Sequence, residues 1–221
     1  HLSKLAIMEY LTSGITANAD MYLTPDTMIQ ASEDCGFRTT VIGAVNDFTQ
    51  SVKEVENWYE KYHKEDGLTS YELGFHAEYT TKREILEGIS ELSKKYHAPI
   101  YTHNSESASE VAQCVERTGM TPTVYMEQLG LFEYGGGLYH CVHMSEEDLD
   151  VVKRHQISVI TNPASNLKLA SGIAPIEEML KRNIDLAIGT DGPASNNCLD
   201  MFREMFLVTA LAKYRENDAS A

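Results

Sequence analysis

Basic residues are scarce in this chain: 18 lysines and arginines stand against 33 aspartates and glutamates, a formal net charge of −15. Surfaces that bind nucleic acid or anionic lipid need the opposite sign, so this balance argues against both partners. Cysteine is sparse too, and Cys35, Cys114, Cys141 and Cys198 include no Cys-x-x-Cys. Thiols so widely spaced in a chain of this length read as reduced and buried, which sets aside a disulfide framework and points to a cytoplasmic protein. Long apolar runs are missing as well. The most apolar stretch, residues 205–212, falls far short of the ~20 residues that cross a bilayer. The opening residues lack the charged-then-apolar pattern of a secretion signal. No repeat of fixed period occurs, and no Gly-x-Gly-x-x-Gly follows the first expected strand, so the main signature of a dinucleotide-binding sheet is absent.

What the chain does have is regular alternation. At 221 residues, with 43% hydrophobic and 23% charged residues, it has ordinary globular values and suffices for one domain over residues 1–221. Helical spacing covers Leu2 to Ser13, with Gly14 as its stop. Ile15 to Ala19 reads as a strand ending at Asp20. Thr24-Pro25 is a helix start with a capping hydroxyl, and that helix ends at Gly36. Strands follow over 38–42, 70–75, 99–103, 138–140, 157–161 and 187–191. Helices separate them over 49–64, 81–96, 107–117 and 124–131, from Ser145 onward and over 174–181, and 199–214 closes the chain. Thr81-x-x-Glu84 reads as a capping box, and Gly135-Gly136-Gly137 as a loop. Seven strands, each followed by helix, predict a parallel sheet. Polar residues end nearly every strand, which favours a barrel over an open doubly wound sheet.

Those strand ends carry the chemistry. One apolar run ends at His103 with Glu106 three residues later, a second ends at His140, and a third at Asp191. Each alone is weak: His-x-x-Glu is frequent on solvated helix ends, and Gly189-Thr190-Asp191-Gly192 could be a plain turn. Together, imidazole and carboxylate donors delivered from separate strand ends describe a metal site open on one side, as catalytic zinc requires. A metal there lowers the pKa of bound water to roughly 7, giving hydroxide at neutral pH, and Glu106 is placed to carry its proton. Of His140 and His143, strand geometry lets one point into the mouth, and His140 is the candidate.

The segments GFHAEYT (74–80), PIYTHNSE (99–106), LYHCVHM (138–144), NPASNLKLASGIAP (162–175) and AIGTDGPASNN (187–197), in this order, resemble the amidohydrolase superfamily. The likeness is greatest to its 5′-methylthioadenosine/S-adenosylhomocysteine deaminase branch, often described as chlorohydrolase-like. The resemblance implies a TIM-like (β/α)₈ metal-dependent hydrolase barrel. It implies one divalent metal, zinc first with iron or nickel as alternatives, held by His103 and Asp191. Glu106, His140 and Asp191 would be catalytic: Glu106 shuttles the proton, His140 positions the hydroxide and Asp191 accepts its proton. His76 would bond the purine ring, with Asn166 and Ser195 near the substrate. The activity implied is hydrolytic deamination of an adenine-type nucleoside. The alternatives are a triazine-type chlorohydrolase or other N-heterocycle aminohydrolase, and a non-catalytic remnant.

Three departures qualify the match. The family's His-x-His pair, two ligands on its first strand, has no counterpart among the eight histidines. The chain is therefore expected to hold strands two to eight of an incomplete barrel, to bind metal weakly, to be inactive alone, and to self-associate as a homo-oligomer through open sheet edges. No arginine lies between Arg38 and Arg83, where relatives that bind the homocysteine carboxylate carry arginines, which argues against S-adenosylhomocysteine. Finally, Glu78 and Pro193 stand where proline and alanine are common.

Overall fold

In a computed structural model describing residues 1–221, seven strands pair side by side in chain order, every pair parallel. They are β1 (Ala17–Met21), β2 (Arg38–Ile42), β3 (Thr69–Ala77), β4 (Ile100–Asn104), β5 (Gly136–His140), β6 (Ser158–Thr161) and β7 (Leu186–Ile188). The intervening helices are α1 (Leu2–Thr12), α2 (Pro25–Cys35), α3 (Val52–Tyr62), α4 (Arg83–Tyr96), α5 (Ala108–Thr118), α6 (Pro122–Gln128), α7 (Glu146–Arg154), α8 (Pro163–Lys168), α9 (Ile176–Lys181), α10 (Pro193–Asn196) and α11 (Met201–Glu216). This is a barrel one strand short of closure. Since β1 and β7 each have one neighbour, two sheet edges stay unpaired.

Alternation along the strands divides the two faces. Val41, Tyr71, Leu73, Phe75, Ile100, Leu138 and Val159 are fully buried and join Leu86, Ile89, Val151 and Val152 of the helices in the main core. On the other face Tyr101 is level with Gly74 and Gly137. A Cβ on Gly137 would stand 2.6 Å from the Tyr101 ring, so a small residue beside a large one fills the barrel interior.

Several local expectations need correction. Thr24 precedes α2 but its hydroxyl makes no capping bond; Pro25 at the first helical position sets the start instead. The expected box Thr81-x-x-Glu84 does not form, because a 3₁₀ turn over Glu78–Thr80 shifts the start of α4 and leaves Lys82 as its N-cap. Gly136 and Gly137 lie in β5 rather than in a loop. Gly136 has φ +142°, and a Cβ there would meet the Ile100 carbonyl oxygen at 1.8 Å. The close passage of β5 along β4 therefore demands glycine, and a strand signal was hidden behind a turn composition. The helices α8 and α10 were unexpected: both begin at a proline after a strand end and span one or two turns.

Candidate active site

All of the candidate residues gather at the C-terminal ends of the strands. On β4 the outward Ile100, Thr102 and Asn104 are fully buried, and the alternate positions turn Tyr101 and His103 inward. His103 donates its Nδ1–H to the His76 carbonyl at 2.7 Å, which leaves Nε2 as a bare lone pair. Burial, then the neighbouring His140 and His76, push the His103 pKa down to about 3. This imidazole is neutral, the state a metal ligand needs.

His140 ends β5 with φ +69°, followed by Cys141 at +50°; Ser105 and Asp191 are also left-handed, at +48° and +58°. Such backbone costs about 1–3 kcal/mol per non-glycine residue and gathers at functional sites. Here it turns the chain sharply off the strand. The Cys141 amide bonds the Asn104 carbonyl at 3.1 Å, and those of Val142 and His143 bond Ser105 at 3.1 and 2.9 Å. The turn stacks the His140 ring on His103, centroids 5.5 Å apart, and sends His143 away to the Ser171 carbonyl at 2.7 Å.

Glu106 faces His140: its Oε2 lies 3.8 Å from His140 Nε2, while its Oε1 accepts the Ser171 hydroxyl at 3.0 Å. The loop bearing Glu106 is held by Glu110, whose carboxylate accepts the amides of Ser105 and Glu106 at 2.9 Å each and of Ser107 at 3.4 Å. Asp191 accepts from the Ser165 hydroxyl at 2.5 Å and the Gly192 amide at 2.6 Å. Burial raises its pKa, but the bonds from Ser165 and Gly192 lead the effects that outweigh burial and hold it below the ordinary carboxylate value. Its charge reaches both His103 and His140.

His76 sits at the same mouth, its pKa lowered chiefly by burial, with Nδ1 2.9 Å from the Thr80 hydroxyl. The Thr80 hydroxyl in turn reaches the Ala77 carbonyl at 3.1 Å. Ser195 is half-buried on α10, its hydroxyl donating to the Gly192 carbonyl at 3.1 Å. Asn166 differs from expectation. It is 1% exposed, and its Oδ1 is engaged by His140 Nδ1 at 2.7 Å, so its acceptor is spent on the imidazole rather than open to a substrate. Sequence reading missed Glu110, Ser165 and Ser171. Glu110 alone had a legible signal, the Ser107-x-x-Glu110 spacing that forms a capping box on α5. No three histidine, cysteine, aspartate or glutamate side chains close on one point as a complete metal-ligand set would.

The sequence matches the amidohydrolase family over residues 1–221. The chain belongs to the amidohydrolase family. A 5-methylthioadenosine/S-adenosylhomocysteine deaminase of Caldanaerobacter subterraneus subsp. tengcongensis is 38% identical over 226 residues, covering 98% of this chain and 52% of the relative. A 5′-deoxyadenosine deaminase of Methanopyrus kandleri is 35% identical over 223 residues, covering 98% and 52%. An adenosine deaminase of Xanthomonas campestris, crystallised with bound zinc, superposes with TM-score 0.93 at 32% identity, covering 99% of this chain and 52% of that one. This amidohydrolase chain thus spans about half the length of the curated relatives it matches.

Proposed function

We propose that this chain supplies the greater part of the active site of a metal-dependent hydrolase that deaminates an adenine-type nucleoside. The observation that carries the reading is the meeting of His103, His140, Glu106 and Asp191, from three separate strand ends, in a chain 38% identical to a deaminase of that class. His103, neutral with Nε2 bare, and Asp191, held ionised, suit a divalent cation, and zinc is the first choice. They make two donors where a catalytic zinc takes three from protein. The fit is that of an incomplete site, one protein donor short. When bound, the cation supplies Lewis acidity to a water molecule.

The rest is done by residues of this chain. Glu106 Oε2 takes a proton from the attacking water and gives it to the ring nitrogen beside the carbon under attack. His140 Nε2 accepts a hydrogen bond from the water and aims it. Asp191 accepts the remaining hydroxyl proton as the carbon–nitrogen bond breaks, and the proton leaves with the amino group as ammonia. Water and amine exchange, giving a ring carbonyl. His76 and Ser195 face the nucleoside. The lack of arginine between Arg38 and Arg83 favours an uncharged 5′ substituent, as in 5′-deoxyadenosine or 5′-methylthioadenosine, over the S-adenosylhomocysteine carboxylate.

A chimera tests this: the matching half of the Caldanaerobacter deaminase is replaced by this chain, and the fall in adenine absorbance and release of ammonia are followed. Turnover that Glu106→Gln removes, with zinc content unchanged, supports the proposal. A folded, zinc-loaded chimera that leaves all three nucleosides intact refutes it.

A further inference from the structure

One short segment, Asn162 to Ser171, reaches a functional residue on each of three strand ends. Ser165 donates to Asp191 at 2.5 Å, Asn166 engages His140 at 2.7 Å, and Ser171 donates to Glu106 at 3.0 Å. These three partners come from the ends of β7, β5 and β4, so no pair of strands alone could fix their relative orientation. The segment itself is firmly seated. Ala164, Ser165 and Asn166 are buried, the Ala164 amide donates to Glu204 of α11 at 3.0 Å, and the Ser171 amide closes onto the Asn166 carbonyl at 2.8 Å.

The Asn166 contact has the sharpest chemical consequence. A carboxamide oxygen only accepts, so His140 Nδ1 must carry the proton in that 2.7 Å bond. The Asn162 amide, 3.5 Å from the same nitrogen, cannot donate to it while the proton is there. A neutral imidazole with its proton on Nδ1 has a bare Nε2, the atom turned to Glu106. We propose that Asn166 is a positioning residue that holds His140 in its Nδ1–H tautomer, so that Nε2 meets the reacting water as an acceptor, with Ser165 and Ser171 of the same segment holding Asp191 and Glu106. The role given to that water rests on the deaminase reading; the tautomer does not.

Long-range ¹H–¹⁵N spectra of the 221-residue chain labelled at histidine read the tautomer directly, with the His140 signals assigned by their loss in His140→Gln. The wild type shows His140 protonated at Nδ1. Asn166→Leu, similar in volume but without an acceptor, moves the proton to Nε2 in a substantial fraction of molecules. Asn166→Asp keeps an acceptor and so keeps Nδ1 protonated; if the leucine variant fails to fold, loss of the Nδ1 proton in a folded Asn166→Asp overturns the proposal. Ser171→Ala leaves the His140 tautomer as in the wild type. An unchanged tautomer in a folded Asn166→Leu, an Nε2–H wild type, or the same shift in Ser171→Ala would each overturn the proposal. None of these readouts involves turnover, so the deaminase reading can fail without touching this one, and the reverse.

Discussion

The Glu110 carboxylate grips the backbone amides of both Ser105 and Glu106, each at 2.9 Å, although it lies on α5 and never faces the mouth. It also closes the capping box with Ser107, so one buried side chain both starts the helix and fixes the loop that carries Glu106. Burial raises its pKa against the pull of those amides. Glu110→Ala orphans three donors and should cost about 1–3 kcal/mol of stability. Glu110→Gln keeps one acceptor and should lose less. Urea denaturation of the two variants orders them, and an alanine variant as stable as the wild type would show that water replaces the carboxylate.

Arg117 of α5 meets Glu78 in a two-pronged ion pair, Nη1 to Oε1 at 3.0 Å and Nη2 to Oε2 at 2.8 Å, with the Glu78 side chain 1% exposed. Glu78 opens the 3₁₀ turn after β3 and pins α5 to it. Arg117 is half exposed, so the loss on Arg117→Met is moderated by water reaching the carboxylate. A destabilisation of about 2 kcal/mol is expected. Glu78→Gln in the Arg117→Met background should recover part of it, which a double-mutant cycle measures.

Gly136→Ala should be the most damaging single methyl addition in the sheet. The new Cβ would need the space of the Ile100 carbonyl oxygen, 1.8 Å away, and the residue would hold φ +142°. Neither a rotamer change nor a small backbone shift relieves a clash with main chain, so the loss should exceed about 3 kcal/mol. Gly119→Ala, at the end of α5 with open space around it, is the control for positive φ alone.

Where the sequence could be read, a periodic or strand-end signal coincided with a single physical demand. Arg38 to Ile42 alternates on a half-covered sheet and forms β2 with the expected bounds; His103 and Asp191 end their apolar runs and face one mouth. Where reading failed, two demands competed. Gly136 has the composition of a turn because β5 passes too close to β4 for any side chain. Thr81 has the spacing of a cap, but the Arg117-anchored turn at Glu78 moves the helix start past it. Asn166 and Ser171 look like substrate contacts or loop filler in sequence. Only the fold brings them under His140 and Glu106, across separations of 26 and 65 residues.

Two half-buried groups tilt stability with pH in opposite senses. His103 has its folded pKa depressed to about 3 from an ordinary 6.5, by burial first. Between those values the unfolded chain binds more protons, so its contribution is complete above about pH 6.5 and is lost as pH falls toward 3. For Asp20 on β1, burial and then the Asp191 charge raise the pKa from 3.8 to about 6. Here the folded chain binds more protons, and stability falls as pH rises from about 4 to about 6. In that shared window the two slopes oppose each other, each bounded by about 1.4 kcal/mol per pH unit. Asp20→Asn removes the opposing slope, so metal-free protein in chelator should gain stability more steeply between pH 4 and 6 and be firmer than wild type at pH 7. His103→Gln should flatten the acid side instead. Urea midpoints across pH 3–8 for the three proteins check both signs, and identical wild-type and Asp20→Asn profiles would mean that the Asp20 carboxyl is hydrated in the folded chain.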